Sequence, residues 1–487
     1  MNYPSLLYWN PPKTIPLDPD LFDDLQISQL VSAEVFAPAL YPCDAENLEK
    51  RQEFFRTLMK NPIFRSHLTV LGSLIDRADA LNTVLQEAAG QTERHFAFYA
   101  CLHAVISFTE AAAEDAGGED NPLFARFRSF FEAHREKAEW TEVRKEIKTL
   151  VPVYEKLRNN ILRIHKKDIR LLSSTGTGYL ARLRSCAENL GLEPPEPPVF
   201  SPIQLTPVLT ETVAALYPQE CGIFAEFHEK YRALYDPAVT EYRLQIGFYL
   251  AMAGLLDRVS EAKIPLTYPV LSPQRKISAT DAYDISLLAK HETHIVPNDI
   301  NFTQEEPFYY LTGANGGGKT TYLRAVGICC TLLLLGCPLP CRHAECSVPS
   351  GVFTHFPRDE RFENTGRFVE ENRRVQKILA QMDQDSVVLL NETYSTTNEE
   401  NALELTDRLA NRLYNQAVFG LYITHQHALE EGPIPYLNVV VDFNDSNRRT
   451  FRIAKQRTGN GSFAEDILKK YALTEEALTE RFGGGML

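Results

Sequence analysis

The chain has 487 residues, enough for two or three domains of ordinary size, and 44% of them are hydrophobic, so a substantial core can form. Its net charge of −14 and isoelectric point near 5.4 give no overall attraction to nucleic acid, so any such contact needs a local cluster of Lys and Arg. Nine cysteines over this length suggest a reducing cytoplasm rather than a disulfide framework.

The opening residues, MNYPSLLYWNPPKTIPLDPD, lack the basic stretch and apolar run of a signal peptide. Residues 1 to about 262 read as helical. Apolar positions recur at spacings of three and four in DLQISQLVSAEVF, RQEFFRTLM and FRSHLTVLGSLI, and EYRLQIGFYLAMAGLLDRVSEA from Glu241 predicts a buried helix. The Pro-rich run from Pro194 to Pro202 must interrupt the helices around it. No internal repeat is present. From about Leu266 short β-rich runs alternate with helical stretches: FYYLTG, SVVLL, FGLYITH, LNVVVDF and RTFRIAK. The expected fold class is therefore α + α/β, with a boundary near 262–270. The longest strongly apolar stretch, Ala325 to Leu335, is too short to span a bilayer, which excludes a membrane-spanning transporter subunit.

Gly313-Ala314-Asn315-Gly316-Gly317-Gly318-Lys319-Thr320 fits the pattern G-x-x-x-x-G-K-[ST], and Thr321 follows it. Glycines let backbone N–H groups turn inward around phosphate oxygens. Lys319 supplies charge at the β- and γ-phosphates, Thr320 a hydroxyl for Mg²⁺, and the following helix points its N-terminus at the anion. A strand candidate before the loop and a helix candidate after it complete the context for ATP with Mg²⁺.

Ser386-Val-Val-Leu-Leu-Asn391-Glu392 reads as a buried strand whose polar end emerges beside the phosphates. An Asp usually comes first there and orders the metal shell, while the Glu polarises the attacking water. Asn391 can hold a metal-bound water but adds no charge; Glu392 remains the candidate general base. Leu421-Tyr-Ile-Thr424-His425 is a second apolar strand with a polar end. A His there is ordinarily just a satisfied polar residue. Its position after Glu392 points instead to sensing of the γ-phosphate.

These residues together resemble the MutS mismatch-repair family. TGANGGGKTTYLRAVG is similar to its long phosphate-loop signature, with Tyr322 and Arg324 matching beyond any generic loop. YPVL at Tyr268 and IVPNDI at Ile295 resemble the opening of its ATPase domain, Asn391-Glu392 falls where the family has Asp-Glu, and Thr424-His425 matches its switch. GSFAEDILKKYALTEEALTERF is similar to its C-terminal dimerisation segment. DLQISQL and LEKRQEFFRTLMKNPIFRSHL resemble the start of its helical core, and PAVTEYRLQIGFYLAMAGLLDRV its returning lever helix. The resemblance implies a helical core over 1–120, lever helices over 121–262 with at most a reduced clamp, and a P-loop ATPase domain of ABC type over 263–487. It implies a dimer, DNA as ligand, and Glu392 and His425 as the catalytic pair.

Departures are equally specific. The core begins by about residue 22, so the mismatch-reading domain that should precede it would be absent, and only 165–205 is available for a clamp. The segment that completes the partner's site, Asn364 to Glu371, keeps Phe368 and Glu371 but has Gly366 where the family has Ser, leaving Thr365 or Arg367 to take over that contact. No adenine-stacking aromatic is evident; His294 and Ile295 lie nearest. Cys337, Cys341, His343 and Cys346 have no standard zinc spacing, so no zinc is expected. Lys156, Arg158, Arg163, Lys166, Lys167 and Arg170 form the densest basic run, read either as a solvated helix face or as a nucleic-acid contact. Arg448, Arg449, Arg452 and Lys455 read as an exposed strand face. Two readings follow: an ATP-driven, DNA-binding homodimer without mismatch preference, and a nucleotide-gated scaffold with weak hydrolysis that binds a protein.

Overall fold

The computed structural model describes residues 3–13, 16–118, 121–158, 161–165, 168–172, 207–292, 294–357, 367–394, 399–425, 432–441 and 449–455. They fall into two compact units, Met1–Leu6 with Asn61–Ile246, and Leu7–Lys60 with Gly247–Leu487.

The first unit is helical. It contains α3 (Pro62–Glu87), α4 (Gln91–Ala112), α5 (Pro122–Arg135), α6 (Ala138–Arg158), α7 (Pro207–Leu216) and α8 (Pro218–Tyr231). The side chain of Asn61 accepts from the N–H groups of Ile63 and Phe64, and Pro62 stands at the first helical position, so α3 starts where its orphan donors are satisfied. α4 is the centre: Phe98, Tyr99, Leu102, Val105, Ile106 and Phe108 are all buried, and the other five helices of the unit touch it. The chain after α6 forms a hairpin of β1 (Ile161–His165) and β2 (Asp168–Leu172), with Arg163 opposite Arg170. The basic run therefore does not lie on one helix. Its β-branched Ile161, Ile164 and Ile169 favour an extended backbone. Lys156, on α6, is paired with Glu220 at 2.9 Å. Lys166, Lys167 and the Pro-rich run lie outside the described residues, as do Arg448 and the C-terminal segment from Gly461.

The second unit gathers α1 (Asp20–Asp24), α2 (Ala45–Lys60) and most of α9 (Tyr242–Glu261) around two sheets. Strands β3 (Val270–Leu271), β4 (Ile277–Ala282), β5 (Asn298–Phe302) and β7 (His343–Cys346) form the smaller sheet, in the order β3-β7-β4-β5. The larger contains β6 (Phe308–Thr312), β8 (Val352–His355), β9 (Val387–Asn391), β10 (Phe419–Ile423), β11 (Tyr436–Val441) and β12 (Arg449–Ala454). Its order is β12-β11-β6-β10-β9-β8, parallel except for β12. Every residue of β6, β9 and β10 is buried, which is why these strands read as apolar runs without alternation. Helix α10 (Lys319–Leu334) lies against β8, β9 and β10, while α11 (Arg367–Gln381) and α12 (Glu399–Asn415) are amphipathic.

The predicted buried helix from Glu241 is α9, with Ile246, Phe248, Tyr249, Met252, Leu255, Leu256 and Val259 in the core. DLQISQLVSAEVF is not one helix. α1 ends by Leu25, Gln26 turns left-handed at φ 57°, and only 3₁₀ pieces over Ile27–Gln29 and Ala33–Ala39 follow. Residues 7–60 belong with the sheets, not with the helical core assigned to 1–120. Arg51 shows why. It is fully buried on α2, donates through Nε to Leu7 O at 2.6 Å and through Nη1 to Leu334 O at 3.4 Å, and its guanidinium lies over the Tyr8 ring. A cation thus meets the C-terminal end of α10, where the helix dipole is negative.

Asp284 gives a test of this unit's energetics. It caps the short 3₁₀ helix Ile285–Lys290, accepting from Ser286 N at 3.0 Å, and burial pushes its carboxyl up to about 6. A carboxyl raised on folding stabilises below its unfolded pKa and loses that contribution as pH rises through the folded value. Asp284→Asn, which keeps the cap, should therefore stabilise the protein at pH 7.5 by up to about 3 kcal/mol and leave it unchanged below about pH 4. Urea midpoints at the two pH values check this; an equal shift at both would rule out ionisation as the cause.

Candidate functional site

The carboxyl ends of three adjacent parallel strands bring the sequence motifs together. β10 lies between β6 and β9, with Ile423 opposite both Leu311 and Asn391. Thr424 N donates to Leu311 O at 3.2 Å and Glu392 N to Ile423 O at 3.1 Å, so the ladder continues one residue past each strand. The phosphate loop, the Asn391-Glu392 pair and the Thr424-His425 pair therefore leave one sheet edge, where open α/β sheets hold their ligands.

The loop from Gly313 to Gly318 uses left-handed backbone at Gly313 (φ 124°), Gly316 (φ 70°) and Gly318 (φ 99°). A side chain at Gly313 or Gly317 would also come within 2.9 Å of Val439, whose methyl groups on β11 fill that space. Thr312 Oγ1 donates to Asn438 Oδ1 beside it. The loop is thus propped by β11, a role that the phosphate-loop motif does not contain. Asn315 and Gly316 are exposed, Ala314 half-buried and Gly317 buried. Lys319 is 5% exposed, and its Nζ donates to Gly313 O at 2.7 Å, Ala314 O at 3.3 Å and Asn315 Oδ1 at 3.4 Å. The ammonium lies on the loop's own acceptors, at the mouth of the backbone turn where a phosphate would compete for it. Thr320 and Thr321 are half-buried in the first turn of α10.

His425 Nε2 donates to Glu392 Oε1 at 3.1 Å. That hydrogen bond, with the nearby charge of Lys319 adding to it, holds the Glu392 carboxyl below its usual range despite partial burial. Glu392 adopts φ 48° and Tyr394 φ 68°, left-handed conformations that cost a non-glycine residue energy unless its surroundings fix them. The turn is fixed: Tyr422 Oη donates to Thr393 O at 2.7 Å, and Thr393 Oγ1 bonds His355 Nδ1 at 3.0 Å. Asn391 is buried, and its Oδ1 has no hydrogen-bond partner among the described residues. An orphaned amide oxygen at the end of this strand suits a water held by a cation, and with Thr320 it makes a donor set of hard oxygens, as Mg²⁺ requires.

Of the segment expected to complete a second site, Thr365 and Gly366 lie outside the described residues. Phe368 and Val369, at the start of α11, are 38% and 58% exposed, whereas Glu371 is buried. The Phe368 ring is 6.0 Å from that of Tyr394, and Tyr394 Oη donates to Asn372 Oδ1 at 3.4 Å, so the start of α11 touches the turn after Glu392 within one chain.

Other residues find structural roles. Tyr322 Oη donates to Asp299 O at 2.9 Å, tying α10 to β5. Cys337, Cys341 and Cys346 are buried and His343 is exposed, and burial pushes the Cys341 and Cys346 thiols up to about 12. His294 is exposed and Ile295 half-buried. Sequence reasoning missed Phe451. It has φ 55°, is 44% exposed, and comes within 3.4 Å of where a Gly318 side chain would start. The irregular β11–β12 register is what re-aims it, and no local sequence pattern signals that.

Comparison with known proteins agrees with this geometry. The family model described as MutS domain V matches residues 309–454. The chain is 31% identical over 156 residues to the DNA mismatch repair protein MutS of Fervidobacterium nodosum, covering 31% of this chain and 19% of that one. It is 24% identical over 268 residues to the protein of the same description from Aquifex pyrophilus, covering 52% and 31%. With the MutS protein homolog 4 of Mus musculus it shares 25% over 239 residues, covering 47% and 23%. The matched part thus spans between 19% and 31% of these relatives' length. Residues 309–454 thus match the model of MutS domain V, and through that segment the chain is similar to MutS-family proteins.

Proposed function

We propose that this protein is an ATPase of the MutS type that acts as a homodimer on DNA in repair or recombination, in the cytoplasm. The observation that carries the reading is the convergence of the Lys319 loop, Glu392 and His425 at the ends of adjacent parallel strands. Among the described residues no helix is long and apolar enough to cross a membrane, and the described cysteines are free thiols.

In this reading the backbone N–H groups of 313–318 and the N-terminus of α10 hold the phosphates, and Lys319 exchanges its loop carbonyls for phosphate oxygens. Thr320 and Asn391 are the residues that would hold Mg²⁺, which when bound neutralises phosphate charge. Glu392, kept ionised by its neighbours, orients and polarises the attacking water. His425 holds Glu392 until the γ-phosphate offers its N–H another acceptor. The exposed Phe368 and Val369 edge, with Thr365, Gly366 and Glu371, would face the site of a second copy, and helices within 121–262 would act as levers that carry dimer closure to DNA. A second reading, a nucleotide-gated scaffold with slow hydrolysis and a protein ligand, is favoured by one observation: the buried amide of Asn391 stands where a charged carboxylate is expected. Filter binding of several DNA forms, with and without ATP, separates the two; no retention of any form would favour the scaffold.

Lys319→Ala should abolish binding of an ATP analogue, because it removes the charge facing the phosphates; unchanged affinity by titration calorimetry would show that the loop is not the site. Glu392→Gln should retain ATP binding while slowing single-turnover hydrolysis by roughly 10²–10⁴-fold. Hydrolysis at the wild-type rate would remove Glu392 from the chemistry.

DNA selectivity is the third test. Mismatch choice needs an aromatic wedge that offsets the cost of kinking the duplex. In this reading the residues within 121–262 hold DNA without such a wedge. What they could offer is shape and phosphate contact, including Lys166, Lys167 and Arg170, which are insensitive to a single wrong base. A G·T heteroduplex and its homoduplex should compete equally, with binding that weakens in salt. Clear preference for the heteroduplex would overturn this account.

A further inference from the structure

One residue outside the matched domain joins the phosphate-loop helix to the helix that starts at Phe368. Asp24, the last residue of α1, has a side chain only 3% exposed. Its backbone carbonyl accepts from Arg324 Nε of α10 at 3.4 Å. Its carboxylate Oδ2 accepts from Arg374 Nη2 of α11 at 2.9 Å and from Thr354 Oγ1 of β8 at 2.8 Å. Phe356 repeats the junction: the Arg324 guanidinium lies 5.8 Å from its ring centroid, and Arg374 Nη1 donates to its carbonyl at 3.0 Å. One turn along α11, Lys377 pairs with Asp18. Arg324 sits in the second turn of the helix that opens at Lys319, and Arg374 in the second turn of the helix that opens at Arg367.

An ion pair this deep gives back little net stability, because desolvating both charges consumes most of their attraction. It does fix direction. A carboxylate shared by Arg374 and Thr354 fixes α11 against the edge of the large sheet, and the same residue's carbonyl follows α10. We propose that Asp24 is a positioning residue that couples the phosphate-loop helix to α11, so that filling the loop resets the exposed edge at Phe368 and Val369. This rests on the phosphate loop binding nucleotide as proposed above. Asp24 itself touches neither nucleotide nor the reacting atoms.

The test uses the full chain with Val369→Trp as a reporter, the signal of the two native tryptophans being subtracted with the unlabelled protein. A non-hydrolysable ATP analogue should change the reporter's emission. Asp24→Asn, which keeps a hydrogen-bonding group and removes the charge, should leave analogue affinity within about 2-fold, abolish at least about half of the emission change, and lower kcat by about 10-fold with KM little altered, the range of couplings carried by such networks. Should that variant not fold, Thr354→Val removes one hydrogen bond from the carboxylate, leaves the ion pair, and should show a smaller loss of the same kind. An emission change of full size in both variants overturns the inference. So does an equal loss of analogue affinity, which would assign Asp24 to building the loop, and so does a fall in melting temperature without any change in kcat or emission. Binding of the analogue to the parent without an emission change would sink this inference alone. Absence of binding would sink the nucleotide reading with it, and binding without hydrolysis would remove the ATPase reading while the emission arm still decides.

Discussion

Helix α10 must be buried on every side and still aim its first turn at an anion. Those two demands organise the second unit. Burial on one face comes from β8, β9 and β10, and close approach is possible because Gly327 has no side chain: a Cβ there would meet Leu25 at 2.4 Å and Leu389 at 2.9 Å. At the other end Leu335, Gly336 and Cys337 N–H donate back to the carbonyls of Thr331, Leu333 and Leu332, and Arg51 meets the remaining Leu334 carbonyl and the negative partial charge of the helix end. The phosphate loop at one end and a buried guanidinium at the other thus act on the same dipole. The first of these is a motif. The second comes from a residue 268 positions upstream of Lys319, and without it the buried Leu334 carbonyl would lose that hydrogen bond.

What could be read from the sequence follows the range of the interactions. The phosphate loop, the apolar strands at 308–312, 387–391 and 419–423, and α9 are local patterns: a fixed spacing, an unbroken apolar run, a helical period. They were legible because each is decided by neighbours along the chain. Residues 7–60 were not. Their partners are Leu334, Thr354 and Arg374, and nothing within a window of a dozen residues marks Arg51 or Asp24 as buried. A charged residue on an amphipathic helix ordinarily faces water, and here two of them do not. The hairpin at 161–172 departs from the helix-face alternative for a related reason: a run of Lys and Arg carries charge information but no period, and the β-branched residues between them decide the backbone.

The candidate site divides in the same way. Lys319, Glu392 and His425 could be named from motif order, and the strand ends bring Glu392 and His425 within a hydrogen bond. The supports could not be named. Val439 and Asn438 come from a strand that follows by more than a hundred residues and hold the loop's curvature from outside. Tyr422 and His355 hold a turn in which two non-glycine residues are left-handed. Such strain persists only where several contacts over-determine it, and those contacts are tertiary. The neutral Asn391 is visible in the sequence as a departure. Its orphaned oxygen is visible only in three dimensions.

The division of the second unit into Leu7–Lys60 and Gly247–Leu487 has a consequence for its birth on the ribosome. Its first piece emerges early, carrying Phe22, Phe36, Phe54 and Phe55, all fully buried in the finished protein. The helices and strands that cover them are synthesised only after the whole first unit has passed. At about 5–20 residues per second that wait lasts roughly ten to forty seconds. Through that interval the nascent chain holds Phe22 and Phe36 with only each other, and Phe54 and Phe55 without Tyr249, the ring that packs on both. Synthesis of this protein therefore opens a window for chaperone capture, and closing the window requires residue 51 to find residue 334 across a gap that no local element can bridge.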